Sequence, residues 1–147
     1  MIYYRSWSCY CLLFLAAIAL GACGGKGGGN QFRVGFSQCG EDDAWRRSMI
    51  SDMRRELAFY PEMRLLYKQA NDSSLLQVQQ VKELLKEGID LLIISPNEAE
   101  PLTPVVEEVF SKGIPVIVVD RKTASALYTN YIGANNYEIG KMAGAYA

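Results

Sequence analysis

From Phe32 onward the hydrophobic pattern switches repeatedly between a strand period and a helix period. FRVGF (Phe32 to Phe36) predicts a first strand. A helix is predicted to open at Asp42-Asp43, carboxylates that suit a cap and the positive end of a helix. Its apolar positions Trp45, Met49, Met53 and Leu57 recur every four residues, Ile50 widens the stripe, and Pro61 ends it. MRLLYKQ (Met63 to Gln69) predicts a second strand. A second helix is expected from Ser74 to Glu87, with Leu75, Val78, Val81 and Leu85 facing inward and Gly88 as its stop.

The unit then repeats. IDLLIIS (Ile89 to Ser95) predicts strand three, and Thr103-Pro104 is expected to open a third helix with Val105, Val106, Val109 and Phe110 inward. That helix closes at Gly113. Val116 to Val119 is an unbroken β-branched run, the pattern of a strand buried on both faces. YTNYIGA (Tyr128 to Ala134) predicts a short fifth strand, and a last helix begins near Asn136 with Ile139, Met142, Ala143 and Tyr146 at helical spacing. Strands alternating with helices imply right-handed crossovers and an α/β, doubly wound parallel sheet of order 2-1-3-4-5.

In such sheets a ligand sits outside the carboxyl ends of the strands. Those ends carry Ser37 and Gln38, then Ser95, then Asp120 and Arg121, then Asn135 and Asn136. Each has a plainer role beside a binding one. Asp120 and Arg121 read either as a surface pair ending the strand or as ligand groups. Ser95 reads either as a strand terminus before Pro96 or as a contact, and Asn136 either as a helix cap or as a contact. Trp45 either joins the buried stripe or stacks on a ligand. Arg46 and Arg47 read as solvated helix charges, with reach into the crevice as the alternative for Arg46.

Composition narrows the chemistry. The chain has 147 residues, 50% of them hydrophobic, and a net charge of −1, which fits one globular domain and excludes a polycationic nucleic-acid binder. Histidine is absent, so the usual catalytic triad and the commonest metal ligand are absent too. The turn SQCGEDDAW has one glycine where a dinucleotide fingerprint needs three, and no P-loop lysine follows. A response-regulator phosphoacceptor needs aspartate where strand three ends on Ser95. No catalytic constellation and no cofactor site are expected. The edge suits a neutral, hydroxyl-rich ligand: Asp120 can accept from two hydroxyls, Arg121 donates through a planar fork, Asn136 does both, and Trp45 offers a ring face.

The amino-terminal segment reads as export machinery. Arg5 precedes the apolar LLFLAAIAL (Leu12 to Leu20), too short to span a bilayer, and the segment ends in LGAC at Cys23. LGAC resembles a lipobox, which implies acylation of Cys23 and a membrane tether; an uncleaved anchor is the alternative. Residues 1–22 are thus expected to be a lipoprotein signal peptide and 23–31 a glycine-rich linker. Cys9 and Cys11 fall in the leader, and Cys39 is expected to be a packed thiol with no partner.

FRVGFSQ, GIDLLIISPNEAEPLTPVVEEVFSKGIPVIVVDRK and YTNYIGANNYEIGKMAGAYA resemble the first lobe of type I periplasmic binding proteins, the ribose-binding and repressor-effector family. The resemblance implies that Asp120 and Arg121 grip a sugar, with Ser37, Trp45, Ser95 and Asn136 at the family's other contact positions. Ser95 stands where sugar binders often have asparagine, and the QCGEDD turn holds one extra residue. SQCGEDDAWRRSM, ISPNEAEPLTPVVEE and DRKTAS with YTNYIGANNYEIG further resemble the extracytoplasmic sensor domains of Bacteroides-type hybrid two-component histidine kinases.

Residues 32–135 are therefore expected to be one lobe and 136–147 the start of a crossover into a second lobe that this sequence lacks. The implied function is a periplasm-facing, lipid-anchored carbohydrate-recognition domain, a sensor input for a kinase or else the receptor of a sugar transporter. A small exported enzyme is the distant alternative.

Overall fold

The computed structural model describes residues 31–147. The leader, Cys23 and all but the last residue of the glycine-rich linker lie outside them. In chain order the elements are β1 (Phe32–Gln38), α1 (Ala44–Leu57), β2 (Met63–Gln69), α2 (Ser74–Lys86), β3 (Leu91–Ser95), α3 (Ala99–Ser111), β4 (Val116–Val119), β5 (Asn130–Ile132) and α4 (Asn136–Tyr146). All neighbouring strands pair in parallel, in the order β2-β1-β3-β4-β5. The expected fold class and strand order hold.

One face of the sheet is well sealed. Leu92, Ile94, Val116 and Val118 pack against Val81 and Leu84 of α2 and against Leu102, Val105, Val106 and Val109 of α3, all buried. Gly35 has its own reason on this face. A Cβ there would stand 2.9 Å from Ile89 Cγ2, so only glycine lets that isoleucine lie against β1.

Among the described residues the other face carries only α1, whose one buried residue is Ile50. Beside it runs an open groove of about 720 Å³ lined by Val34, Trp45, Met49, Met53, Ile93 and Val119 among others. The expectation that β4 is buried on both faces is therefore corrected. Val116 and Val118 are buried, while Ile117 and Val119 are only half-buried, because α1 packs chiefly against β2, toward the opposite edge of the sheet from β4.

Two helix readings also change. α3 begins at Ala99, a turn before Thr103-Pro104. Pro101 falls in the first turn, where backbone N–H groups lack intrahelical partners anyway, and burial of Leu102 extends the inward stripe backwards. Pro104 lies inside the helix, and Thr103 Oγ1 donates to the Ala99 carbonyl at 2.7 Å instead of capping. In α2 Val81 is buried and Val78 and Leu85 are half-buried against the core as expected, Gln77 and Leu84 are buried with them, and only Leu75 departs, at 84% exposed. Gln77, Val81 and Leu84 lie four and three residues apart, and Leu75 sits off that line. The predicted caps of α1 and the stops at Gly88 (φ 72°) and Gly113 (φ 78°) hold.

α4 has no buried residue; Ile139, Met142 and Tyr146 are all exposed. Its apolar spacing thus has no surface to pack on among the described residues.

Candidate functional site

The carboxyl ends of β1, β3, β4 and β5 meet along one edge, and Asp120 is its centre. Asp120 sits at φ 68°, a left-handed conformation that a non-glycine residue holds only when its surroundings fix it. Two bonds do so. Its N–H donates to the Ile132 carbonyl at 2.9 Å, and its own carbonyl accepts from the Tyr131 hydroxyl at 2.7 Å. Gly133 makes room for that hydroxyl, since a Cβ at 133 would overlap Tyr131 Oη and stand 3.0 Å from the Asp120 carbonyl. Gly133→Ala is accordingly expected to displace Tyr131 and destabilise the lobe by about 1–2 kcal/mol. Tyr131→Phe, which removes only the hydrogen bond, should cost less. Urea midpoints of the two variants check the order, and equal or reversed costs would show that Tyr131 does not brace Asp120.

Arg46 is the residue that sequence reasoning undervalued. Its side chain is 14% exposed, not a solvated charge. It pairs closely with Asp43, the α1 cap whose oxygen also accepts the Arg46 N–H at 2.7 Å. Its Nη2 stands 3.7 Å from Asp120 Oδ2. Burial opposes the guanidinium charge, but the Cys39 sulfur, Asp43 and Asp120 more than offset it, so its pKa is raised. The signal available in the sequence was the spacing to Asp43, three residues earlier, which draws Arg46 back over the helix start.

The remaining expected site residues divide by depth. Ser37, Gln38 and Ser95 are fully buried. Gln77 Nε2 donates to Ser37 Oγ at 3.3 Å and to the Ser95 carbonyl at 2.9 Å. Gln38 Nε2 donates to the Gly40 carbonyl at 2.7 Å, and Ser95 Oγ lies 3.9 Å from the Cys39 sulfur. These three stand beneath the edge in this structure. Arg121 and Asn136 stand on it, exposed. Arg121 Nη1 donates to the Asn97 carbonyl at 2.6 Å. Asn136 lines a recess of about 360 Å³ with Lys122, Tyr131, Gly133, Ala134 and Asn135. The cap of α4 is Asn135, whose side chain accepts from the Glu138 N–H, so the Asn136 side chain is not used as the cap. Trp45 is 53% exposed and lines the apolar groove with Met49, on the helix stripe that its spacing indicated.

Gln77 and Asn97 are missed by the sequence reading. A glutamine in an amphipathic helix reads as a polar-face residue, and nothing local shows that its amide faces the ends of two strands. Among the described residues no cluster of three metal-ligating side chains forms, and Cys39 is a free, buried thiol.

The sequence profile of the periplasmic binding protein domain matches residues 34–147. The chain belongs to this family. The fructose-binding periplasmic domain of a hybrid two-component system superposes with a TM-score of 0.75 at 50% identity, over 78% of this chain and 38% of that one. The periplasmic binding protein of the arabinose transporter from Shewanella sp. ANA-3 gives a TM-score of 0.69 at 28% identity, over 78% and 38% of the two chains. The ribose import binding protein RbsB of Bacillus subtilis is 25% identical over 121 residues, covering 82% of this chain and 39% of that protein. This periplasmic binding protein domain thus spans about two fifths of the length of these relatives.

Proposed function

We propose that the chain is a lobe of an extracytoplasmic carbohydrate receptor and that its ligand lies across the edge centred on Asp120. The observation that carries this is a braced carboxylate, Asp120, that pairs with the Arg46 guanidinium at one sheet edge, with Arg121 following it in the chain and tied to the Asn97 carbonyl. Asp120 accepts from adjacent hydroxyls, Arg121 and Arg46 donate to hydroxyl or ring oxygens, and Asn136 does both. Trp45 offers an apolar face beside them. Ser37, Gln38 and Ser95 hold the edge from below. Nothing in this arrangement breaks a bond; the ligand is held without chemical change.

A second lobe is proposed to close over this edge. The relatives are more than twice as long, and the exposed apolar face of α4 offers that lobe a surface. Of the two receptor classes, the input domain of a hybrid two-component sensor is favoured by the 50% identity to such a domain, against 28% for the arabinose transport protein. Any kinase activity would belong to other segments of the intact protein. Titration calorimetry of the full-length protein with D-fructose, D-ribose, D-xylose and L-arabinose tests the reading. Saturable binding of at least one is expected, and no heat from any of them would refute it.

Anchoring through Cys23 is part of the same proposal and rests on the LGAC segment. Cys23→Ser should leave the precursor unprocessed and without lipid label, while Cys39 remains a monothiol in the mature protein. A cleaved, soluble Cys23→Ser protein would remove the anchor from the proposal. A Cys23–Cys39 disulfide found by mass spectrometry would do the same.

A further inference from the structure

Arg121 stands at the surface, yet its guanidinium has one fixed point. Its Nη1 donates to the Asn97 carbonyl at 2.6 Å, and among the described residues no carboxylate lies within ion-pair distance of it. Asn97 is itself held from three directions. Its N–H donates to Gln77 Oε1 at 2.9 Å, and its side-chain Nδ2 donates to the Asp72 carbonyl and to Ser74 Oγ, each at 3.0 Å. Those last two partners flank the start of α2, where Asn71 (φ 48°) and Asp72 (φ 57°) turn the chain through left-handed conformations. Gln77 anchors the opposite side and is fully buried.

We infer that Asn97 is a positioning residue for the ligand site, acting on the ligand only through Arg121. Neither Asn97 nor the α2 start is among the expected contacts, and the inference rests on the carbohydrate reading above. The physical basis is preorganisation. An arginine side chain on the surface loses rotamer freedom when a ligand fixes it, and a guanidinium already tied by one N–H has lost part of that freedom beforehand. One of its five N–H groups is used by Asn97, which leaves four for a hydroxyl or ring oxygen. The anchor must be rigid for this to help. Gln77, Asp72 and Ser74 supply that rigidity to a loop residue between β3 and α3.

A cycle of variants in the full-length protein tests this, with D-fructose as the first probe and D-ribose, D-xylose and L-arabinose after it. Asn97→Ala should weaken binding about three- to tenfold. In an Arg121→Met background the same change should alter affinity less than about twofold, because the group it positions is gone. Ser74→Ala removes one anchor of Asn97 at a helix start that tolerates alanine, so it should show the same dependence on Arg121 with a smaller loss. It keeps the test open if Asn97→Ala does not fold.

Equal losses with and without Arg121 would overturn the inference, since Asn97 would then act on the ligand directly or through general stability. An unchanged affinity in both Asn97→Ala and Ser74→Ala would overturn it as well. Failure of the unsubstituted protein to bind any of the four sugars refutes the carbohydrate reading itself and the inference with it. That outcome is read before any variant is made.

Discussion

Replacing Gln77 with leucine is expected to cost the lobe about 3 kcal/mol, although the leucine fills a similar volume in a buried position. Three groups lose their partner at once: Ser37 Oγ, the Ser95 carbonyl and the Asn97 N–H. Ser37 and Ser95 are fully buried, so neither can turn to solvent instead. Leaving a buried polar group unpaired costs about 1–3 kcal/mol, and the added apolar burial offsets part of the sum. The midpoint of urea unfolding should fall while the slope stays constant, which marks a change in stability and not in the unfolded state. A loss below about 1 kcal/mol would show that other groups satisfy these atoms.

The Gln77→Glu variant sharpens the test by adding a sign. Its carboxyl would be buried beside the Ser95 carbonyl, which disfavours the ionised form and raises the folded-state pKa above the unfolded value. The protonated acid can donate to that carbonyl and still accept from Asn97. Stability of this variant relative to the parent should therefore be highest below the unfolded carboxyl pKa of about 4.3 and be lost as pH rises through the raised folded value. Opposite behaviour would place residue 77 in a wetter or more positive environment than these bonds describe.

The hydrophobic pattern carried the fold. Val81, Val105, Val106 and Val109 recur at helical spacing and are buried where that spacing puts them. Runs such as LLIIS marked the strands, and their alternation with helices implied the order. Proline and threonine misled locally, because Thr103-Pro104 resembles a helix start while Leu102 packs into the core one turn earlier. The candidate site was legible only as far as strand ends reveal it. Asp120, Arg121 and Asn136 lie at the surface there, whereas Ser37, Gln38 and Ser95 are sealed beneath. Burial at a strand end depends on what the next helix carries, and Gln77 comes from about forty residues along the chain. No local pattern encodes that meeting.

Replacing Asp120 with asparagine should lower affinity for the bound sugar at least about tenfold while leaving stability within about 0.5 kcal/mol. Asparagine is the right substitution because the backbone at 120 is left-handed, and asparagine tolerates that region as well as aspartate does. The bonds that fix the residue, from its N–H to Ile132 and from Tyr131 to its carbonyl, are main-chain bonds on its side and survive the change. The ion pair with Arg46, at 3.7 Å and with the Asp120 side chain 34% exposed, contributes little to stability. What changes is the acceptor. A carboxylate takes hydrogen bonds from two neighbouring hydroxyls, and bonds to a charged acceptor are worth about 1.5–3 kcal/mol each. An amide keeps one weaker acceptor and turns a donor toward a hydroxyl and toward the nearby Arg46 guanidinium. Titration calorimetry on the full-length protein, with the sugar that binds the parent, measures the loss, and urea unfolding checks that stability is retained. Unchanged affinity in a folded Asp120→Asn protein would reduce Asp120 to the end of a strand and move the ligand away from this edge.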